Sequence, residues 1–225
     1  MASQPLSREV STMIRYILPV IFAAGLIAGP GFAQDTETDS LLDQSLSVPV
    51  SSALNTVRID QVGTYNTAIV TSSGKGSLLA LSQEGDKQTA EVEFDGPDNL
   101  GNLQQLGQLN KAVVTILGGT NVFTIQQKTT PDFAGLRGNI IRLSQFGLNN
   151  FASQTQIGND NEMALSQSGD SNEATMMQNG TSNLMRLEQV GNENVAELSQ
   201  TGFAALPINI TQSGGMRVLI SQIGN

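Results

Sequence analysis

The sequence predicts an all-β protein, a β-solenoid of stacked strand–arc–strand coils with ~22 residues per coil. Three observations predict it. A Gln-x-Gly-x-x-Asn phrase recurs every eleven residues from Gln145 onward. One face of every implied strand carries no charge, and in the first half the Gln recurs at twice the period. A short fixed period means identical units laid on one another, and it outranks a composition rich in Gly, Asn, Gln, Ser and Thr that would otherwise suggest disorder.

Residues 1–33 read as a signal peptide. Arg8 and Arg15 precede the apolar run Ile17 to Ala28, and Gly31-Phe32-Ala33 supplies small residues before a cleavage point at Gln34. The apolar run is shorter than the ~20 residues of a membrane span. Residues 34–54 are acidic, with Asp35, Glu37, Asp39 and Asp43, carry no repeat, and read as a flexible N-terminal segment.

The repeat frame occupies residues 55–225. Its units start at Asn55, Asn66, Ser77, Gln88, Asn99, Asn110, Asn121, Asn139, Asn150, Asn161, Asn172, Asn183, Asn194, Leu206 and Met216. With each start as position 0, Gln stands at +6 in twelve of the fifteen units and Gly at +8 in fourteen, Thr129 being the exception. Positions 0, +2, +4 and +6 share one face of an extended strand. The glycines Gly63, Gly107, Gly147, Gly158, Gly169, Gly180 and Gly191 fall just past the strands, where an arc needs positive φ or close backbone approach.

The sixty positions of the shared face contain no Asp, Glu, Lys or Arg, as a buried interior requires. The coil length follows from Gln61, Gln83, Gln105 and Gln127, which stand 22 residues apart while Ser72, Phe94 and Ile116 fill the alternate units. Gln200, Gln212 and Gln222 are spaced 12 and then 10, which restores 22. About seven and a half coils at ~4.8 Å make a rod of ~36 Å.

Stacking sets like over like. The twelve Gln, from Gln61, Gln83, Gln105 and Gln127 through Gln145, Gln156, Gln167, Gln178, Gln189 and Gln200 to Gln212 and Gln222, are expected to form amide ladders. So are Asn66, Asn110, Asn150, Asn161, Asn172, Asn183 and Asn194. On the outer face the same stacking separates like charges: Glu91 lies between Ile69 and Val113, and Glu93 between Thr71 and Thr115.

Residues 128–138 insert seven extra residues, include Pro131, and predict a loop bulging between coils. After Gln222-Ile223-Gly224-Asn225 nothing in the sequence covers the last coil, so growth by end-to-end stacking is expected.

Composition narrows the function. Without residues 1–33 the chain keeps nine basic and nineteen acidic residues, which disfavours nucleic acid as a partner. It has no Cys and no His, so neither disulfides nor the commonest general base and metal ligand are present. No cofactor, metal or small-molecule substrate is expected, and the chain does not read as an enzyme.

The residues resemble the curlin repeat, Ser-x5-Gln-x-Gly-x2-Asn-x-Ala-x3-Gln. Gln167-Ser168-Gly169-Asp170-Ser171-Asn172-Glu173-Ala174-Thr175-Met176-Met177-Gln178 matches it from the first Gln onward. Gln189 to Gln200 matches again, and Gln61-Val62-Gly63-Thr64-Tyr65-Asn66-Thr67-Ala68 does so in part. The resemblance implies a secreted curli subunit assembled into cross-β amyloid fibres at the bacterial cell surface, for biofilm matrix and adhesion. It implies as partners the chain itself, a second curlin subunit and the outer-membrane curli secretion machinery, the last through the acidic segment. It also implies a polymerising role for Gln145, Gln156, Gln167, Gln178, Gln189 and Gln200 and for Asn150, Asn161, Asn172, Asn183 and Asn194. The irregular first half and Arg217 lean toward a nucleator, and the resemblance leaves both roles, major subunit and nucleator, open.

Three rival readings are weaker. Glu91, Glu93 and Asp95 would be the acidic cluster of a lyase solenoid, but alternating acids on an outer face are ordinarily solvated. Asp160 and Asp170 are too scattered for a calcium-binding repeat. A monomeric solenoid that binds ice or polysaccharide wants an unbroken Thr column, and charges and Ile interrupt Thr67, Thr89, Thr71, Thr115 and Thr211.

Overall fold

The computed structural model describes residues 33–35, 45–47, 55–130 and 137–224. Within them all regular structure is β, and every strand pairing is parallel. Two sheets share the strands alternately. The first contains β1 (Ala33–Asp35), β3 (Thr56–Val62), β5 (Leu78–Asp86), β7 (Leu100–Gln108), β9 (Val122–Lys128), β11 (Phe151–Asn159), β13 (Glu173–Thr181), β15 (Val195–Phe203) and β17 (Arg217–Ile223) in that spatial order. The second contains β2 (Ser45–Ser47), β4 (Thr67–Ser73), β6 (Thr89–Asp95), β8 (Lys111–Leu117), β10 (Ile140–Phe146), β12 (Glu162–Ser168), β14 (Leu184–Val190) and β16 (Ile208–Ser213). Each coil contributes one strand to each sheet, so the protein is a β-solenoid with ~22 residues per coil.

The register is the one the doubled period predicts. Gln61 lies over Gln83, Gln83 over Gln105 and Gln105 over Gln127, each 22 residues apart. Outside, Glu91 sits between Ile69 and Val113, and Glu93 between Thr71 and Thr115. The expected spacing of like charges therefore holds at these strands, where in-register stacking would otherwise set them side by side.

The residues at positions 0, +2, +4 and +6 make the interior. Val57, Ile59, Ala68, Val70, Leu79 and Leu81 open a continuous apolar core that runs to Ala196 and Leu198, all nearly inaccessible. Small and large residues alternate to fill it. Phe123 packs edge-on to Phe94 at 5.8 Å, and its ring occupies the space above Gly101, where a Cβ would come within 2.5 Å.

The insertion does not break the stack. β9 pairs β11, with Gln127 over Gln156, so the extra residues leave the coil and return to it. Thr129, standing where the other units have Gly, accepts the Gln108 N–H through Oγ1 at 2.6 Å and closes the arc before the chain departs. Residues 131–136, with Pro131, lie outside the described residues. So do residues 1–32 of the expected signal peptide and most of 34–54. From that stretch the backbones of Ala33–Asp35 and Ser45–Ser47 pair with Val57–Ile59 and Thr67–Ile69.

One unit start is corrected. Ala205, not Leu206, takes the column of Asn183: its N–H donates to Asn183 Oδ1 at 3.1 Å, while Leu206 is 78% exposed. The arc Gly202–Ala204 keeps the length of the others. The extra residue therefore falls after it, between Ala205 and Ile208, where Met185 pairs Ile208 at an offset of 23.

Candidate functional site

The polar interior is two sets of ladders. At +6 of the first sheet, the Nε2 of each Gln donates to the Oε1 of the Gln one coil on. The series runs Gln61, Gln83, Gln105, Gln127, Gln156, Gln178, Gln200 and Gln222, with N···O distances from 2.6 to 3.4 Å. Every rung from Gln61 to Gln200 is wholly buried. The second sheet carries a shorter ladder of Gln145, Gln167, Gln189 and Gln212, each step 2.8 Å. It begins at Gln145 because Ile116, Phe94 and Ser72 fill the column below. Consistent with that, the Oε1 atoms of Gln61 and Gln145, the first rungs, have no hydrogen-bond partner.

The Gln amide has a second task that spacing alone does not reveal. Its other N–H reaches across the interior to a carbonyl where the facing strand begins: Gln83 to Thr67 O at 3.1 Å, Gln105 to Thr89 O at 3.0 Å, Gln167 to Phe151 O at 2.9 Å and Gln189 to Glu173 O at 3.0 Å. Each such Gln thus ties coil to coil and sheet to sheet. A buried amide so used is satisfied rather than costly.

The Asn columns work mainly on the backbone. Asn150 Oδ1 accepts from the Asn172 N–H at 3.0 Å and the Asn172 Nδ2 at 3.1 Å, while Asn150 Nδ2 donates to Asn121 Oδ1 at 3.2 Å and to Gly169 O at 2.8 Å. Asn161, Asn172 and Asn183 repeat the grip on Gly180, Gly191 and Gly202 carbonyls. Asn66 holds Gly85 O and accepts the Gln88 N–H, Asn110 accepts the Asn139 N–H, and Asn194 accepts the Met216 N–H. The expected amide-to-amide ladder exists in the second half, but the larger role is to clip one arc to the next. The companion signal was in the sequence: Asn stands three residues after the arc glycine in nine units.

The arcs need glycine for two reasons. Gly63, Gly107, Gly147, Gly158, Gly169, Gly180 and Gly191 have φ between 93° and 132°. At most of them a Cβ would also strike the carbonyl of the next coil's glycine, as at Gly63, 2.0 Å from Gly85 O. Two residues on, a second left-handed residue completes the arc, and here side chains are kept: Tyr65, Lys87, Leu109 and Thr120 have φ of 56° to 59°. Nothing in those residue types announced that conformation.

Two local features carry predictions. Gln154 is fully buried between Ile125 and Met176, and its Oε1 has no partner. Gln154→Met should stabilise the fold by about 1–2 kcal/mol, because it removes an unsatisfied buried acceptor without changing volume greatly. Urea denaturation of the two proteins measures it. In an arc, the Asp86 carboxylate accepts from Thr64 Oγ1 at 2.6 Å and the Thr64 N–H at 3.0 Å, which lowers its pKa below the usual carboxylate value. A depressed pKa stabilises the fold above the unfolded value, near ~3.9, and that contribution is lost as pH falls through the folded one. NMR titration should show the Asp86 pKa rising in Thr64→Val.

Among the described residues no group of three or more His, Cys, Asp or Glu is placed to hold a metal ion, and no helix is long and apolar enough to cross a membrane. Parallel coils closed around laddered amides define a structural repeat protein of the β-solenoid class. The Curlin associated repeat matches residues 55–92, 96–128 and 169–202, so the chain carries curlin repeats. No curated protein and no solved structure matches it.

Proposed function

We propose that the protein is a secreted structural subunit of curli-like functional amyloid fibres, a pilus-type appendage of the bacterial surface serving biofilm matrix and cell adhesion. The observation that carries this reading is the Gln ladder that runs through eight strands of one sheet, across the insertion, from Gln61 to Gln222. Each Gln donates in one direction along the stack and accepts from the other. A column of that kind is extended by any further in-register coil, with the bonding of one rung repeated at the next. The ladder residues, the Asn clips and the turn glycines are the polymerising elements in this reading. The partners are further copies of the chain, a second curlin subunit and the outer-membrane secretion machinery of curli.

The test is thioflavin T kinetics on residues 34–225, with and without sonicated seeds of the same protein. A lag abolished by seed, together with a fibre reflection at about 4.7–4.8 Å, is expected. A soluble β-rich monomer, dye-negative for days, would overturn the reading in favour of a solenoid that binds a surface such as ice or polysaccharide.

A further inference from the structure

The two outer faces of the solenoid differ in charge. On the second sheet, charged residues recur from β6 to β14: Glu91, Glu93, Lys111, Arg142, Glu162 and Glu188 among them. On the first sheet, strands β5, β7, β9 and β11 carry no charge at all in the outward rows +1, +3 and +5. Row +1 is Leu78, Leu100, Val122 and Phe151, stacked in register, with Leu78 48%, Leu100 47% and Phe151 38% exposed. The other two rows are Ala, Ser, Asn, Gln and Thr throughout. Gln126 Nε2 donates to Gln104 Oε1 at 3.0 Å, so one donor and one acceptor of this polar row are already paired before it is covered.

We infer that this face of the first sheet packs against the same face of a second copy of the chain, pairing two filaments laterally. The inference rests on the fibre reading above. In a chain of net charge −9, contact through other strand faces sets acid near acid, whereas rows +1, +3 and +5 of these strands carry no charge, Glu84, Asp86 and Lys128 lying beyond them at the strand ends.

Symmetry fixes how the copies meet. A two-fold axis along the strands leaves each row facing itself and reverses the stacking order, so β5 faces β11 and β7 faces β9 of the second copy. The apolar row +1 then covers the apolar row +1, and Arg58 on β3, paired with Asp60 of its own strand at 2.8 Å, faces Thr175 on β13 of the second copy, one row along from Glu173. A two-fold axis along the stack would set Arg58 against Arg58 and Leu100 against Gln104. The first arrangement fits, and it makes the paired filaments run in opposite directions.

Area decides when pairing happens. Four strands ~4.8 Å apart, with about five to six residues of ~3.3 Å each, give ~350 Å² per copy. That is ~700 Å² in all, short of the ~1,200–2,000 Å² of a stable interface. Single subunits therefore stay apart, while stacked subunits add their patches and filaments pair.

The test is cryo-electron microscopy of wild-type fibres beside Ser82→Lys/Thr124→Lys, whose new side chains are registered with Asp60 and Gln104 and with Asn102 and Ser153, so neither is set directly opposite a basic residue. Wild type should show two protofilaments of opposite polarity, and the double variant single filaments growing at the wild-type rate. Thr115→Lys on the second sheet, beside Glu93 and Ser144, should stay paired. If the double variant does not assemble, Leu100→Ser is read instead and should raise the single-filament fraction at least several-fold. Single wild-type filaments, parallel pairs, or variants paired like wild type would overturn the inference and leave the fibre reading intact. Wild type that forms no filaments would overturn both.

Discussion

Replacing Gln167, Gln178 and Gln189 by Glu should abolish seeded assembly at pH 7. Gln167 and Gln189 are consecutive rungs 2.8 Å apart in one ladder, and Gln178 lies between Gln156 and Gln200 in the other; all three are wholly buried. Ionised Glu loses the Nε2 donor at each site, leaves the next rung's Oε1 without its hydrogen, and sets two carboxylates against each other. An uncompensated buried charge costs several kcal/mol, against a total stability of about 5–15 kcal/mol. The effect should reverse with acid. Burial and mutual repulsion raise the pKa of these carboxyls above the ordinary ~4.3, so the penalty is absent below the unfolded value and grows as pH rises through the folded one. A protonated carboxyl also has one donor and one acceptor, which suits a ladder rung. Thioflavin T traces at pH 7 and at pH 4 or below, for variant and wild type, check both halves. Unchanged kinetics at pH 7 would sink the assignment of these residues to the polymerising interior.

Much of this architecture was legible because its cause is repetition. A 22-residue coil puts Gln61 over Gln83 by arithmetic, and a face free of charge over fifteen units leaves little choice about which side is inside. What escaped were interactions with the backbone, which no side-chain pattern advertises. Gln83 reaching Thr67 O depends on the distance between the two sheets, and Asn150 gripping Gly169 O depends on the curvature of an arc. The misplaced start at Leu206 has the same origin. Spacing puts the extra residue in the arc, but the arc's two left-handed residues fix its length and push the surplus past Ala205. The left-handed backbone at Lys87 and Thr120 was equally hidden, since neither residue favours it.

Gly158→Ala should destabilise the protein by roughly 3–5 kcal/mol, whereas Gly214→Ala should cost about 1 kcal/mol. Gly158 is at +8 of its unit and Gly214 stands in the glycine column over Gly191, and both have positive φ, 113° at Gly158 and 68° at Gly214. Backbone preference already favours a side chain at Gly214, whose 68° lies close to the left-handed helical region that side chains tolerate, over Gly158, whose 113° lies outside it. Space widens the difference. A Cβ on Gly158 would lie 1.8 Å from Gly180 O, and that oxygen is the one Asn161 Nδ2 holds at 2.9 Å. Relief requires the coils of β11 and β13 to part, which strains that clip and the rung from Gln156 to Gln178 nearby. A Cβ on Gly214 meets nothing within 4 Å. Urea denaturation of the two variants beside wild type reads the contrast. Equal losses would mean that coil-to-coil contact is not what makes this column glycine. A large loss confined to Gly158 would identify the packing of arc on arc as what holds the glycine column, and with it the spacing at which the amide ladders can form.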